Sequence, residues 1–353
     1  MDVKNVLNTM IDKNASDLHL IQDNPPYFII NGALTFFDDK ALTRSDLMGF
    51  FDEVVEDSDK KRKFLSEKEL DFAYELEAKA RFRVIAYFQR NSVAFSIRMV
   101  PLKIPSLEEL GLPEALKEFT RLRSGLILVI GPAKSGKSTS VASMVNLINK
   151  ERPLHVVTIE DPIEYVYKPE KCIISQREVQ EDINSVADAL NHILRQTPGI
   201  VVVDGVKDKE SIRMILEAAE TGCLVFCTLR AWNVVQSVNK LADFFLESER
   251  RQARIQISHT LKGVVSQRLL RRADKKGFIC ACELLKVNVA IQNLIKEDKL
   301  NQIPMAMADL RKEGMATMDD IFLSLHKRGL VDIEEIINHS SGKPGYVESL
   351  LLQ

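Results

Sequence analysis

Gly131-Pro132-Ala133-Lys134-Ser135-Gly136-Lys137-Ser138-Thr139 is the stretch whose residue types and spacing bear most directly on chemistry. It satisfies the pattern Gly, four residues, Gly-Lys-Ser/Thr, in which backbone amides wrap a β-phosphate at the positive end of a helix. In that reading Lys137 lends a point charge to the β- and γ-phosphates, and the Ser138 hydroxyl ligates Mg²⁺. The bare pattern occurs by chance. Here, however, the apolar run Leu126–Ile130 leads into it and a helical stretch, 141–149, follows it. Strand, loop and helix are the context the chemistry needs. Gly131, Lys134, Ser135, Gly136, Lys137, Ser138 and Thr139 are therefore expected to bind nucleotide, with ATP and Mg²⁺ as cofactors. Lys134 stands where such loops very often carry Gly. A positive φ there adds strain on the order of 1 kcal/mol, which binding should survive.

Carboxylates form the second group. Glu160-Asp161-Pro162-Ile163-Glu164 closes the apolar run Val156–Ile159. Open α/β sheets place ligand-contacting groups at such strand ends, so Glu160, Asp161 and Glu164 form a candidate acidic box. A solvated acidic turn is the alternative. Asp204 and Gly205 follow the run Ile200–Val203 in the same way, and Arg230 follows Leu224–Thr228.

The elements that must position these groups are legible from about residue 121. Short, nearly continuous apolar runs at 125–130, 156–159, 200–203 and 224–228 alternate with amphipathic stretches long enough for helices. Such runs suit parallel strands buried on both faces, and the alternation predicts a doubly wound α/β sheet. From about residue 249 the chain reads as mostly helical.

Residues 1–100 read as a separate mixed α/β domain. Val3–Asn14 has helical spacing and Asp17-Leu18-His19-Leu20 begins a strand-like alternation. Phe28-Ile29-Ile30 before Asn31-Gly32 is a hairpin signal, because that pair tolerates positive φ. A helical stretch over 46–64 and strands over 70–76, 80–89 and 92–99 complete the domain. Pro101, Pro105 and Pro113 punctuate a connector. The expected organisation is a domain over 1–100, a linker over 101–120 and a nucleotide-binding domain over 121–353.

At 353 residues, 45% hydrophobic and 28% charged, the chain can bury two cores. A formal net charge of -2 and a pI near 6.4 give no global field for nucleic acid or anionic lipid. The local cluster Arg268, Arg271, Arg272, Lys275 and Lys276 reads as a solvated helix end. No stretch approaches the roughly 18 apolar residues that cross a bilayer, and residues 1–12 lack a signal-peptide pattern. The expectation is a cytoplasmic chain without direct membrane insertion, docked through a partner. Five cysteines with no CxxC pair read as reduced, mostly buried thiols.

Several motifs in order resemble the PilT-type type IV pilus retraction ATPases of the secretion ATPase superfamily. They begin with Ser16-Asp17-Leu18-His19-Leu20, Arg81-Phe82-Arg83-Val84 and Ser106-Leu107-Glu108-Glu109-Leu110-Gly111. After the phosphate loop come Thr158–Glu164, Gln176-Arg177-Glu178-Val179, Ala218-Ala219-Glu220-Thr221-Gly222 and Ala290–Ile295. The resemblance implies a PAS-like N-terminal α/β domain, then a RecA-like P-loop domain with a helical C-terminal part, assembled as a hexameric ring. It also implies that Arg81 and Arg83 approach the phosphates, where a guanidinium fork pairs with oxygen. The plain alternative sets both arginines outward on an exposed strand. Glu160, Asp161 and Glu164 match the family's metal- and water-coordinating acidic box. Assembly-type relatives usually carry a CxxC zinc module and longer N-terminal extensions, which favours the retraction branch here.

The resemblance breaks at three motifs. Where the family's Walker B strand ends in Gly-Glu-Met-Arg-Asp, this chain has Asp204-Gly205-Val206-Lys207-Asp208, so Gly205 occupies the Glu position. Asp204 is adjacent, but neighbouring strand positions face opposite sides unless a local bulge re-aims them. The His box reads Thr228-Leu229-Arg230-Ala231, with Arg230 in place of a His. Gln292 replaces an Arg of a retraction-linked motif.

The expected function is a nucleotide-binding protein of the type IV pilus twitching-motility machinery. It binds ATP and Mg²⁺, is impaired in hydrolysis, and acts as an accessory ring subunit. The alternative is an active retraction motor in which Asp204 replaces the missing Glu, with Glu160, Arg81 and Arg83 as its further catalytic residues. The expected partners are copies of itself or an active PilT-type subunit, and an inner-membrane platform protein, but no nucleic acid.

Overall fold

The computed structural model describes residues 2–30, 32–36, 39–76, 80–100 and 103–340. Asn31 of the hairpin signal and Pro101 of the connector lie outside the described residues. The chain divides into two compact units, residues 1–103 with Glu164–Val166, and residues 104–163 with 167–353.

In the first unit the order is α1 (Val3–Asp12), β1 (Asp17–Leu20), β2 (Tyr27–Ile30), β3 (Ala33–Phe36), α2 (Arg44–Val54), α3 (Ser58–Glu67), β4 (Glu69–Leu76), β5 (Ala80–Gln89) and β6 (Ser92–Val100). The strands form one antiparallel sheet in the order β3-β2-β1-β6-β5-β4. One apolar core joins Val6, Leu7 and Met10 of α1 and Phe50 and Phe51 of α2 to Leu18, Phe82, Val84 and Phe95 of the sheet. The single helical stretch expected over 46–64 is two helices. The chain breaks at Val55–Asp57, where the Asp57 carboxylate caps α3 by accepting from the Asp59 amide.

The second unit contains α4 (Leu116–Arg121), β7 (Gly125–Ile130), α5 (Lys137–Glu151), β8 (His155–Glu160), β9 (Ile173–Glu178), α6 (Val186–Ile193), β10 (Ile200–Val203), α7 (Lys209–Glu220) and β11 (Leu224–Leu229). It continues with α8 (Val234–Asp243), α9 (Glu247–Thr260), β12 (Leu261–Arg271), β13 (Phe278–Lys286), α10 (Val289–Lys296), α11 (Ile303–Asp309), α12 (Met318–Lys327) and α13 (Ile333–His339). The sheet order is β13-β12-β7-β11-β10-β8-β9, parallel throughout except for the antiparallel edge strand β13. β7, β10 and β11 are buried at every residue, as strands covered by helices on both faces must be.

One reading of this region is corrected. Helix gives way to strand over 261–286 before helices return at Val289. The basic cluster is accordingly no solvated helix end. Arg268 lies mid-strand and almost wholly buried, and Lys275, in a left-handed conformation, belongs to the β12–β13 turn. The Trp232 and Gln267 carbonyls and the Trp232 ring, described below, offset part of the cost of an interior guanidinium there.

Candidate functional site

β7 delivers the chain to Gly131 at the C-terminal edge of the parallel sheet. Gly131 has φ +154, and a Cβ there would lie 2.4 Å from Ser135 Oγ and 2.6 Å from the Gln267 carbonyl oxygen. No larger residue fits without moving the loop. The loop turns through Lys134, whose φ of +62 is the left-handed conformation that Gly adopts more readily, and through Gly136 into α5. No side chain caps the α5 N-terminus. Lys137 Nζ donates to the Pro132 carbonyl at 2.7 Å, folding the lysine across the loop. Ser135 is buried and its hydroxyl has no hydrogen-bond partner. An uncapped helix N-terminus, a lysine across the loop and an unsatisfied hydroxyl together fit a phosphate group.

Neighbouring strand ends bring carboxylates to the same edge. Glu160 closes β8, is buried, and accepts from Thr158 Oγ1 at 2.6 Å and Gln176 Nε2 at 3.1 Å. Asp161 is exposed and pairs with Lys207 at 2.8 Å. Asp204 follows β10 at a point where Val203 is registered with Cys227 of β11, which sets Asp204 beside Thr228. Thr228 Oγ1 donates to Asp204 Oδ1 and accepts from the Gly205 amide at 2.9 Å. Burial pushes the Asp204 carboxyl above its ordinary value. The Thr228 hydroxyl and the charges of Lys137 and Arg230 pull it back, while Asp161 adds to the rise. The charge of the phosphate-loop lysine therefore acts on Asp204, but less than burial does.

The other expected residues are distributed differently. Gly205 presents no side chain and takes φ +77. Arg230 follows β11 and is exposed. Arg81 and Arg83 alternate with buried Ala80, Phe82 and Val84 on β5 of the first unit. Arg83 is held by the Asp71 carboxylate at 2.6 Å. Glu164 belongs to the segment grouped with that first unit, whereas Glu160 and Asp161 belong to the second. The sequence reading gave Thr228 and Gln267 no role of their own and took Arg268 for part of a solvated helix end. Thr228 acquires its partner only through the β10–β11 register, and Gln267 only through β12 lying beside β7.

A PAS-like α/β unit followed by a RecA-like unit with a phosphate loop defines the class of protein. The model of the family described as type II/IV secretion system protein matches residues 1–299, and the chain belongs to that family. Within the family it is of the PilT retraction-ATPase type. It is 36% identical to the type IV pilus retraction ATPase PilT of Pseudomonas aeruginosa over 95% of this chain and 96% of that one. The type IV pilus ATPase PilU of the same organism is 33% identical over 96% of this chain and 89% of its own length. A crystal structure of the pilus retraction motor PilT with bound ADP superposes with a TM-score of 0.90 at 37% identity, covering 99% of each chain. Among the described residues, no helix is long and apolar enough to cross a membrane.

Proposed function

We propose that this chain is a nucleotide-binding ring subunit of a type IV pilus motility machine, with nucleotide binding intact and hydrolysis attenuated. The observation that carries this reading is the contrast between the two halves of the site. Gly131–Thr139 have the shape a phosphate requires. Beside them, the carboxylate at the end of β10 is a proton-favouring Asp204 held by Thr228, next to a glycine.

In this reading the loop amides and Lys137 bind the phosphates, and Ser138 supplies the hydroxyl for Mg²⁺. Glu160 and Asp161, at the same sheet edge, would orient water on a bound Mg²⁺. Arg230 contributes charge and N–H donors, but a guanidinium offers no acceptor. Removing one well-placed catalytic group commonly slows a reaction by roughly 10²–10⁴-fold, and here both the Glu and the His positions are changed. The PilT and PilU relatives support a role in a type IV pilus machine, and the proposed place is its cytoplasmic side, in a ring of like subunits or mixed with an active one. An inner-membrane platform protein is its proposed docking partner.

The second reading, a slow motor using Asp204, is favoured by the position of this carboxylate at the end of β10, where the Lys137 charge acts on it. One experiment separates the two. ATP binding by calorimetry and steady-state ATP hydrolysis with Mg²⁺ are measured on wild type, Lys137→Ala and Asp204→Ala. Binding lost only in Lys137→Ala, with turnover near background throughout, supports the attenuated subunit. Turnover near 1 s⁻¹, at the low end of typical enzymes, that both substitutions abolish would establish the motor instead.

A further inference from the structure

Arg268 is 1% exposed, and a buried guanidinium is costly unless several groups satisfy it. Two of its contacts are to Trp232, while Nε has no hydrogen-bond partner among the described residues. Nη2 donates to the Trp232 carbonyl, Nη1 donates to the Gln267 carbonyl at 3.2 Å, and the guanidinium lies 4.7 Å from the centre of the Trp232 ring. The charge of buried Glu283 on β13 also acts on it. Trp232 in turn begins the turn into α8. Its amide donates to Gln236 Oε1 at 2.6 Å, and Asn233 caps the helix by accepting from the Gln236 amide at 2.8 Å. Arg268 therefore grips the short segment that carries Arg230 out of β11.

The preceding residue grips the opposite side of the site. Ser266 is registered with Ile130 of β7, so Gln267 runs beside the first residue of the phosphate loop. Its carbonyl is the atom that leaves no room for a Cβ at Gly131. Its side-chain Nε2 donates to Ser140 Oγ at 2.7 Å, in the first turn of α5. Two consecutive strand residues thus meet the phosphate loop and the helix that follows it, through the Gln267 carbonyl and side chain, and the Arg230–Trp232 segment, through the Arg268 side chain. Interiors packed to this density transmit small displacements instead of absorbing them.

We propose that Arg268 is the positioning residue for the Arg230–Trp232 segment, and that Gln267–Arg268 couples this segment to the phosphate loop, so that nucleotide occupancy is read at Trp232. This inference rests on nucleotide binding at the loop, and it holds whether or not the nucleotide is hydrolysed. The indole is the chain's single tryptophan and is 51% exposed, with one face on the guanidinium, so a shift of the segment alters its surroundings.

The test follows intrinsic tryptophan emission of the full chain during titration with ADP and with ATP and Mg²⁺, beside calorimetry on the same samples. The expected result is a saturable emission change that tracks the binding heat. Arg268→Lys keeps the charge but loses the planar fork, so it should red-shift the resting emission and lose most of the response, with nucleotide affinity changed only a few-fold. Gln267→Ala removes the Nε2 contacts to Ser140 Oγ and Cys280 Sγ, leaves the backbone carbonyl against Gly131, and should cut the response on its own in folded protein. Binding heat without an emission change overturns the coupling while sparing the nucleotide-binding reading. A response of full size in Gln267→Ala and in folded Arg268→Lys overturns it as well. No binding heat at all removes both.

Discussion

At the residue scale the question is what a one-position exchange of Gly and Asp does to a site. The Gly205 backbone sits at φ +77, where a side chain adds strain of about 1–2 kcal/mol, so a Glu placed there alone meets an unsuitable backbone. Exchanging both residues moves the flexible position back by one. Asp204→Gly with Gly205→Glu is therefore expected to raise ATP turnover at least roughly tenfold over wild type if a missing carboxylate limits the rate. Turnover that stays at background in the double variant, with nucleotide binding retained, would place the defect elsewhere, with Arg230 the first suspect.

The raised Asp204 pKa gives a second check at the same scale. Its carboxyl holds a proton to higher pH in the folded chain than in the unfolded one. Stability therefore falls as pH rises from the unfolded value through the folded one, and the ionised form is penalised above it. Asp204→Asn is expected to raise the thermal midpoint at pH 8 and to do so less at pH 4. Any residual turnover that uses Asp204 as an anion must climb with pH over the same window.

Elements decide which residues meet, and here the sequence was uneven. β7, β8, β10 and β11 were readable because strands buried on both faces are continuous apolar runs bounded by turns. β9 was not, since Ile173–Glu178 lies at a sheet edge with a mixed sequence and only one buried residue. β12 and β13 were hidden by their charges, because an arginine suggests surface until its partners are known. The strand and helix that flank Gly131–Gly136 were legible, yet the Thr228–Asp204 bond was not, because it depends on register across two strands. The strand–loop–helix junction carries its own prediction. Gly131→Ala puts a methyl group against Ser135 Oγ and the Gln267 carbonyl. The loop must shift at a cost of about 1–3 kcal/mol, so calorimetry should show nucleotide affinity reduced by roughly tenfold or more. Affinity unchanged in Gly131→Ala would mean that the loop has slack that the backbone contacts deny it.

For the whole molecule, the issue is whether a subunit with the proposed attenuated site gains a purpose in company. A ring shares its work among subunits, so one that binds nucleotide without turning it over still holds its neighbours in a nucleotide-dependent arrangement. Its benefit then shows only when an active subunit is present. Native mass spectrometry of the 40.0 kDa chain with ATP and Mg²⁺ should show a closed oligomer, six-fold if the PilT-type ring applies. Mixing with a hydrolytically active PilT-type subunit of different mass should give intermediate masses, with ATP turnover that departs from the sum of the two proteins alone. Lys137→Ala should weaken both effects, because a phosphate loop that cannot hold nucleotide cannot hold the arrangement either. Masses that stay unmixed, with strictly additive turnover, would leave a ring of this chain alone. Whatever it contributes to a pilus machine would then come from nucleotide binding within that separate ring.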